Sequence, residues 1–367
     1  MSKEGRLLFI VTYLLIGIGI VMIYSSSAVL ANERYQNAQY FLYRQLLFVT
    51  LGTIGFFLAA SLPLKFYKNN SRVFMLLAIL MLLMVYLPVI GRSAGGARRW
   101  LSIAGFQFQP VEFAKLACCI YLADYLSRKI AVVQKGDVKV YLPPTILIGT
   151  ICVLTILEPD LGSTSLMALL TAIMFFVAGI RLRYIIGVLL SLAGMLYALI
   201  LMKPYRISRL QAYLNPWQDP QGSGFQIIQS FLAFALGGFR GVGLGQSTQK
   251  LFYLPSSHND FILAVIAEEM GLLGVMVVIG LYVVFLLCCI RMAKKTDQPF
   301  EKLLITALTL LIILQTIIHM MVATGLVPTK GLPLPFVSYG GSSVVLNLIT
   351  VGILMTVDRR RVSQRGY

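Results

Sequence analysis

The chain has 367 residues, 58% of them hydrophobic and only 12% charged, with a mean hydropathy of +0.83. A soluble globular domain carries about twice that share of charge, so the composition excludes one and reads as an all-α polytopic membrane protein. The net charge of +17 does not indicate a nucleic-acid partner. The basic residues are scattered over short segments with no aromatic-interleaved patch, and anionic lipid is the partner they suit.

Apolar runs long enough to cross a bilayer number about ten, at 7–27, 44–62, 73–91, 111–127, 143–158, 162–180, 184–202, 261–290, 302–323 and 340–357. The first reads as a retained signal anchor, because it is long and no small-residue cleavage site follows it. With the N-terminus inside, 19 of the 31 Lys and Arg fall on inner segments and 11 on outer ones, leaving Lys115 within a span. That bias and the even span count place both termini in the cytoplasm. The whole chain, 1–367, reads as a single membrane domain.

The outer segment Gly96 to Lys115, GARRWLSIAGFQFQPVEFAK, carries Arg98, Arg99 and Trp100, the last suited to an interfacial anchor. Lys115 lies inside the fourth span three residues after Glu112, so it either pairs with that carboxylate or faces a polar cavity. Asp124 has Arg128 at i+4, which reads as a structural pair. All five cysteines lie in spans, which argues for packing over disulfides. Glu158 and Asp160 bracket Pro159 at the outer mouth of span five, where Asp160 can cap span six.

The long outer segment 203–260 is rich in Gly, Gln, Pro and aromatic residues. Within it, FQIIQSFLAFAL (225–236) is helical in pattern but too short to span, which fits a re-entrant or interfacial helix. The glycines of GGFRGVGLG (237–245) suit a sharp turn or a close backbone approach. Leu254 to Gly271, LPSSHNDFILAVIAEEMG, then carries His258 and Asp260 out of a polar loop into an apolar helix. An ionisable group at a membrane boundary is costly, so it points to function, although Asp before an apolar run is also a preferred helix cap. Glu268 and Glu269 follow inside the run, where intramembrane carboxylates usually pair with a cation. Last, PTKGLPLPFVSYGGSS (328–343) sets prolines and glycines around Lys330 before the final span, a density that holds a loop in one shape. Its hydroxyls include Ser338, but no Ser-His-Asp order or nucleophile elbow suggests a hydrolase.

Together these segments resemble the SEDS family (shape, elongation, division and sporulation). The resemblance rests on RRWLSIAGFQFQPVEFAKLA, EPDLGSTSL, RLQAYLNPWQDPQGSGFQIIQS, LPSSHNDFILAVIAEEMG and PTKGLPLPFVSYGGSS, in that order. The last looks more like division-type than elongation-type members. Where the family often has Glu and Thr in the loop before its aspartate, this chain has Ser256 and Asn259.

The resemblance implies a glycosyltransferase of the bacterial cytoplasmic membrane that polymerises lipid II into peptidoglycan at the outer face. It implies Asp260 as the general base. Arg98, Lys115, Asp160, Arg206, Arg209, Arg240, His258, Lys330 and Ser338 are then the expected substrate-binding set, with the cations holding diphosphate. Asp160 leaves room for a divalent cation, Mg or Mn, bridging phosphate. The implied partners are a class B penicillin-binding protein with one span and other divisome membrane proteins. A flippase for lipid-linked precursors and a scaffold for the transpeptidase are the rival readings, and the clustering of unusual motifs on the outer side favours the enzyme.

Overall fold

The computed structural model describes residues 1–88, 90–94, 97–103, 106–134, 137–181, 183, 187, 194, 213–222, 224–250, 258–329 and 331–365. The expected span 184–202 therefore lies almost wholly outside the described residues. The other nine expected spans are each helical.

The helices are α1 (Lys3–Tyr35), α2 (Tyr40–Ser61), α3 (Leu64–Asn69), α4 (Ser71–Met84), α5 (Pro110–Gln134), α6 (Leu142–Leu157), α7 (Leu161–Ala178), α8 (Phe225–Gly237), α9 (Ile262–Lys294), α10 (Pro299–Ala323) and α11 (Gly341–Arg365). Among the described residues seven helices are long and apolar enough to cross a membrane, which makes this a multi-pass protein. The helix α8, with 13 residues, is shorter than a span and packs on α9.

An all-helical reading missed one element. The segment after α4 forms a three-stranded antiparallel sheet, β1 (Gly91–Ala94), β2 (Ala97–Ile103) and β3 (Phe106–Phe108). Ala94 lies opposite Ala97 and Ile103 opposite Phe106. The expected span 73–91 accordingly stops at Met84.

In the core, α2 runs along α11, α5 along α10 and α1 along α9. The five cysteines are free, with all but Cys152 buried. Ser2 caps α1 and its hydroxyl also donates to Asp358 of α11 at 2.5 Å. Both chain termini therefore lie at one end of the bundle, the terminal end. The sheet and the segments 158–160, 258–261 and 331–340 lie at the other, the loop end.

The helix α9 is broken at Gly271, where φ is +66° and ψ −166°, a conformation essentially confined to glycine. Its freed backbone groups are taken over by the glycine-rich segment after α8. Val242 and Gly243 N–H donate to the Glu268 and Glu269 carbonyls at 2.9 and 3.0 Å, and Leu272 N–H donates to Gly238 at 3.0 Å. Gly241, at φ +80°, lies so close that a Cβ there would overlap the Glu269 carbonyl. A break at membrane depth is tolerated because other backbone re-satisfies it.

Candidate active site at the loop end

Asp260 sits in the turn 258–261 that leads into α9, half-buried. The cap position of α9 is Phe261, whose side chain makes no cap hydrogen bond, and Asp260 stands one residue before it. Gly331 lies against the carboxylate, since a Cβ built there would stand 3.7 and 3.8 Å from its two oxygens. The neighbouring Leu332 packs on Gly162, the second residue of α7. The pair Gly331–Leu332 thus lies between Asp260 and the start of α7, where Asp160 stands.

Two hydrogen bonds clamp this turn to the 331–340 segment, and a third within that segment braces the clamp. Tyr339 N–H donates to the His258 carbonyl at 2.9 Å, and the Ser338 hydroxyl donates to the Asn259 carbonyl at 2.7 Å while accepting from Leu334 N–H at 2.8 Å. Ser338 is buried and its hydroxyl is engaged as both donor and acceptor, which makes it a structural clamp.

The proline-rich segment is in turn held from below by polar side chains on spanning helices. Gln315 Nε2 donates to the Pro333 carbonyl at 2.8 Å, His319 Nδ1 lies 2.9 Å from the Leu332 carbonyl, and Ser342 accepts from Gln109 N–H at 3.0 Å. Lys115, fully buried, donates to Glu112 at 2.7 Å and to Gln315 at 3.1 Å. Its charge is therefore neutralised locally, and it supports the loop through Gln315.

Across the site, Asp160 caps α7 and accepts from the backbone N–H and the hydroxyl of Ser163 at 2.9 and 2.8 Å. Beside it Glu158 is 1% exposed with neither carboxylate oxygen hydrogen-bonded. Burial, with the Asp160 charge adding to it and Arg99 opposing, pushes the Glu158 carboxyl up to about 8. Arg99, on β2, grips this turn by donating to the Glu158 carbonyl at 2.9 Å and to the Pro159 carbonyl. The neighbouring Arg98 is exposed.

His258 is buried, and its ring packs on Phe41 and Tyr339 at centroid distances of 4.8 and 5.7 Å. Burial, aided by the Arg34 charge, pulls the imidazole down to about 4, so it is neutral near pH 7. Arg240 is exposed in the turn beside the α9 break. Arg206, Arg209 and Lys330 lie outside the described residues.

Glu268 and Glu269 are buried on the last turn before the break. Glu268 accepts from Ser247 and Thr248 hydroxyls and from Thr248 N–H at 2.8 Å. Glu269 takes Lys250 Nζ at 2.8 Å and the Ser25 hydroxyl at 2.6 Å. Both carboxylates thereby fix the segment 247–250. Among the described residues no three acidic, His or Cys side chains converge in a way that could hold a metal ion.

A helical membrane bundle with an acid set in a clamped loop at one end defines the class. The chain matches the family described as cell cycle protein, of the FtsW, RodA and SpoVE group, over residues 5–363. It is 41% identical to a probable peptidoglycan glycosyltransferase FtsW of Geobacter metallireducens over 93% of this chain and 91% of that protein. It is 39% identical to the stage V sporulation protein E of Bacillus subtilis over 98% of both chains. Among solved structures it superposes with a TM-score of 0.80 and 29% identity on a chain of a peptidoglycan synthase complex, described as coordinating polymerization and crosslinking, covering 96% and 97% of the two chains. The rod shape determining protein RodA of Thermus thermophilus gives a TM-score of 0.71 at 26% identity, covering 96% of each. The chain belongs to the SEDS family.

Proposed function

We propose that this SEDS peptidoglycan glycosyltransferase polymerises lipid II at the outer face of the cytoplasmic membrane, with the loop end outward and both termini in the cytoplasm. The 4-hydroxyl of a lipid-linked glucosamine attacks the anomeric carbon of a second muramyl sugar. The new bond forms as the bond from that carbon to the lipid pyrophosphate breaks, and the hydroxyl proton passes to the Asp260 carboxylate. The observation that carries this reading is the position of Asp260. It lies in a turn pinned by two hydrogen bonds to its backbone carbonyls and against a glycine that has no side chain to cover it.

Of the expected cations, Arg98 and Arg240 are exposed and available to a diphosphate, which guanidinium groups suit bidentately. Arg206, Arg209 and Lys330 complete the proposed donor-binding set. Asp160 and Glu158 alone make a poor cage for Mg or Mn. A class B penicillin-binding protein is the proposed partner, by analogy with the synthase complex that the fold matches, and division the proposed setting.

The test is polymerisation of lipid II by wild type and Asp260→Asn, each copurified with the partner transpeptidase. Loss of a positioned base costs about 10² to 10⁴ in rate, so glycan strands should vanish while the complex stays folded. Unchanged strand length and yield would remove Asp260 from the chemistry.

A further inference from the structure

At the terminal end, far from Asp260, a groove of about 440 Å³ opens between α1, α2 and α11. Its walls include Ile10 of α1, Phe56 and Phe57 of α2 and Met355 of α11, and its lining also holds Arg6 and Arg359. Arg6 precedes Ile10 by one helical turn and Arg359 follows Met355 by one. Because α1 begins and α11 ends here, both guanidinium groups stand about one turn nearer the end of the bundle than the apolar walls.

Three other basic residues around these helix ends are paired with carboxylates. Arg361 pairs with Asp358 and Glu4, Lys295 with Glu4, and Arg360 with Glu301. Among the described residues no ion pair includes Arg6 or Arg359, both exposed. Arg359 makes one long contact, 3.4 Å, to the Ser61 carbonyl. A membrane-facing apolar slot with two uncompensated guanidinium groups at its mouth is complementary to a molecule that is apolar along its length and anionic at its head. A free phosphate would leave the slot empty, and a zwitterionic headgroup would set its own cation among the arginines.

We propose that this groove binds one anionic phospholipid, with an acyl chain along Ile10, Phe57 and Met355 and the phosphate held between Arg6 and Arg359. The site is independent of the reaction assigned to Asp260. Guanidinium groups grip phosphate with paired hydrogen bonds, and basic side chains at a membrane surface favour anionic lipid. Bound there, the lipid joins the first, second and last spanning helices.

Native mass spectrometry of the full chain, titrated with phosphatidylglycerol and separately with phosphatidylcholine, tests this. Wild type should retain one phosphatidylglycerol on the order of tenfold more tightly than phosphatidylcholine, as expected for two surface-level basic contacts. Arg6→Gln with Arg359→Gln should abolish that preference, Arg6→Lys with Arg359→Lys should keep most of it, and the charge-matched pair Lys3→Gln with Lys302→Gln should leave it intact. Melting temperatures in the same detergent establish that each variant is folded. Equal retention of the two lipids by wild type would overturn the site, as would a preference that survives the double glutamine change or is lost equally in the Lys3 and Lys302 pair. Displacement of the lipid by glycerol phosphate at matched concentration would overturn the acyl-chain part of the assignment.

Discussion

The two ends of the bundle use polar side chains differently. At the terminal end charges meet charges, as Glu4 with Lys295 and Arg361, Asp358 with Arg361, and Glu301 with Arg360, so that helix ends are tied to one another. At the loop end polar side chains chiefly hold backbone. Arg99 holds two carbonyls, Gln315 and Ser338 one each, and Glu268 takes an amide. Ion pairing joins rods, whereas side-chain grip on peptide groups fixes the course of a loop, which is what a site built from several loops requires.

The largest expected effect lies where the loop end borrows the other end's device, at Glu269 with Lys250. Glu269→Ala strands a buried ammonium and should cost about 3–5 kcal/mol, read as a fall in melting temperature in detergent. Replacing both partners, Glu269→Leu with Lys250→Met, should recover much of that loss if the pair serves only to fix the segment. Next comes Gly271→Ala. An L side chain in that conformation costs about 1–3 kcal/mol, and the added Cβ would also overlap the Arg240–Gly241 backbone. A melting curve indistinguishable from wild type would mean that the break is not held as described.

A smaller and pH-dependent effect should come from Glu158 and His258, which the loop end keeps neutral by burial. Glu158 is raised from 4.5 to about 8, so the folded state keeps a proton that the unfolded state has released, and stability falls as pH rises between those values. His258 is lowered from 6.5 to about 4, so the unfolded state binds the extra proton and stability falls as pH drops through that interval. Glu158→Gln should therefore raise the melting temperature at pH 8 and lose its advantage by pH 4.5. A constant difference across that range would contradict a buried neutral carboxyl. The smallest effect is expected at the terminal end. Lys295→Ala removes a half-exposed partner of Glu4, which keeps Arg361, and should cost about 0–1 kcal/mol by the same melting assay.

Much of the site was legible because its signals are local. Asp260 stands out as an acid at the head of an apolar run, and the i+3 and i+4 spacings of Glu112 with Lys115 and Asp124 with Arg128 predict the pairs observed at 2.7 and 2.8 Å. The cap role of Asp160 follows from its place before α7. What the sequence concealed depends on distant partners. The cation for Glu269 is Lys250, brought back from another segment, and the bonds of Ser338 to Asn259 and Leu334 are equally non-local or hidden in a loop. Hydropathy merges the two parts of α9 because Gly271 interrupts the backbone without interrupting the apolar run. The sheet was hidden for a similar reason, since a short alternating stretch beside a span scores as its polar flank. Gln315 and His319 were visible as polar residues in an apolar helix, the signal that would have marked them.

The break at Gly271 separates the geometry of the acid from that of the long membrane rod behind it. Residues 262–270 form a two-turn cylinder with Asp260 at its head and Glu268 and Glu269 at its foot. That cylinder is joined to the rest of α9 through one glycine and docked by the turn at 238–243. Its foot is therefore held by the turn, which carries the exposed apolar Phe239 and Val242, and its head by the 331–340 segment, so the aspartate is fixed from both ends independently of the lower helix.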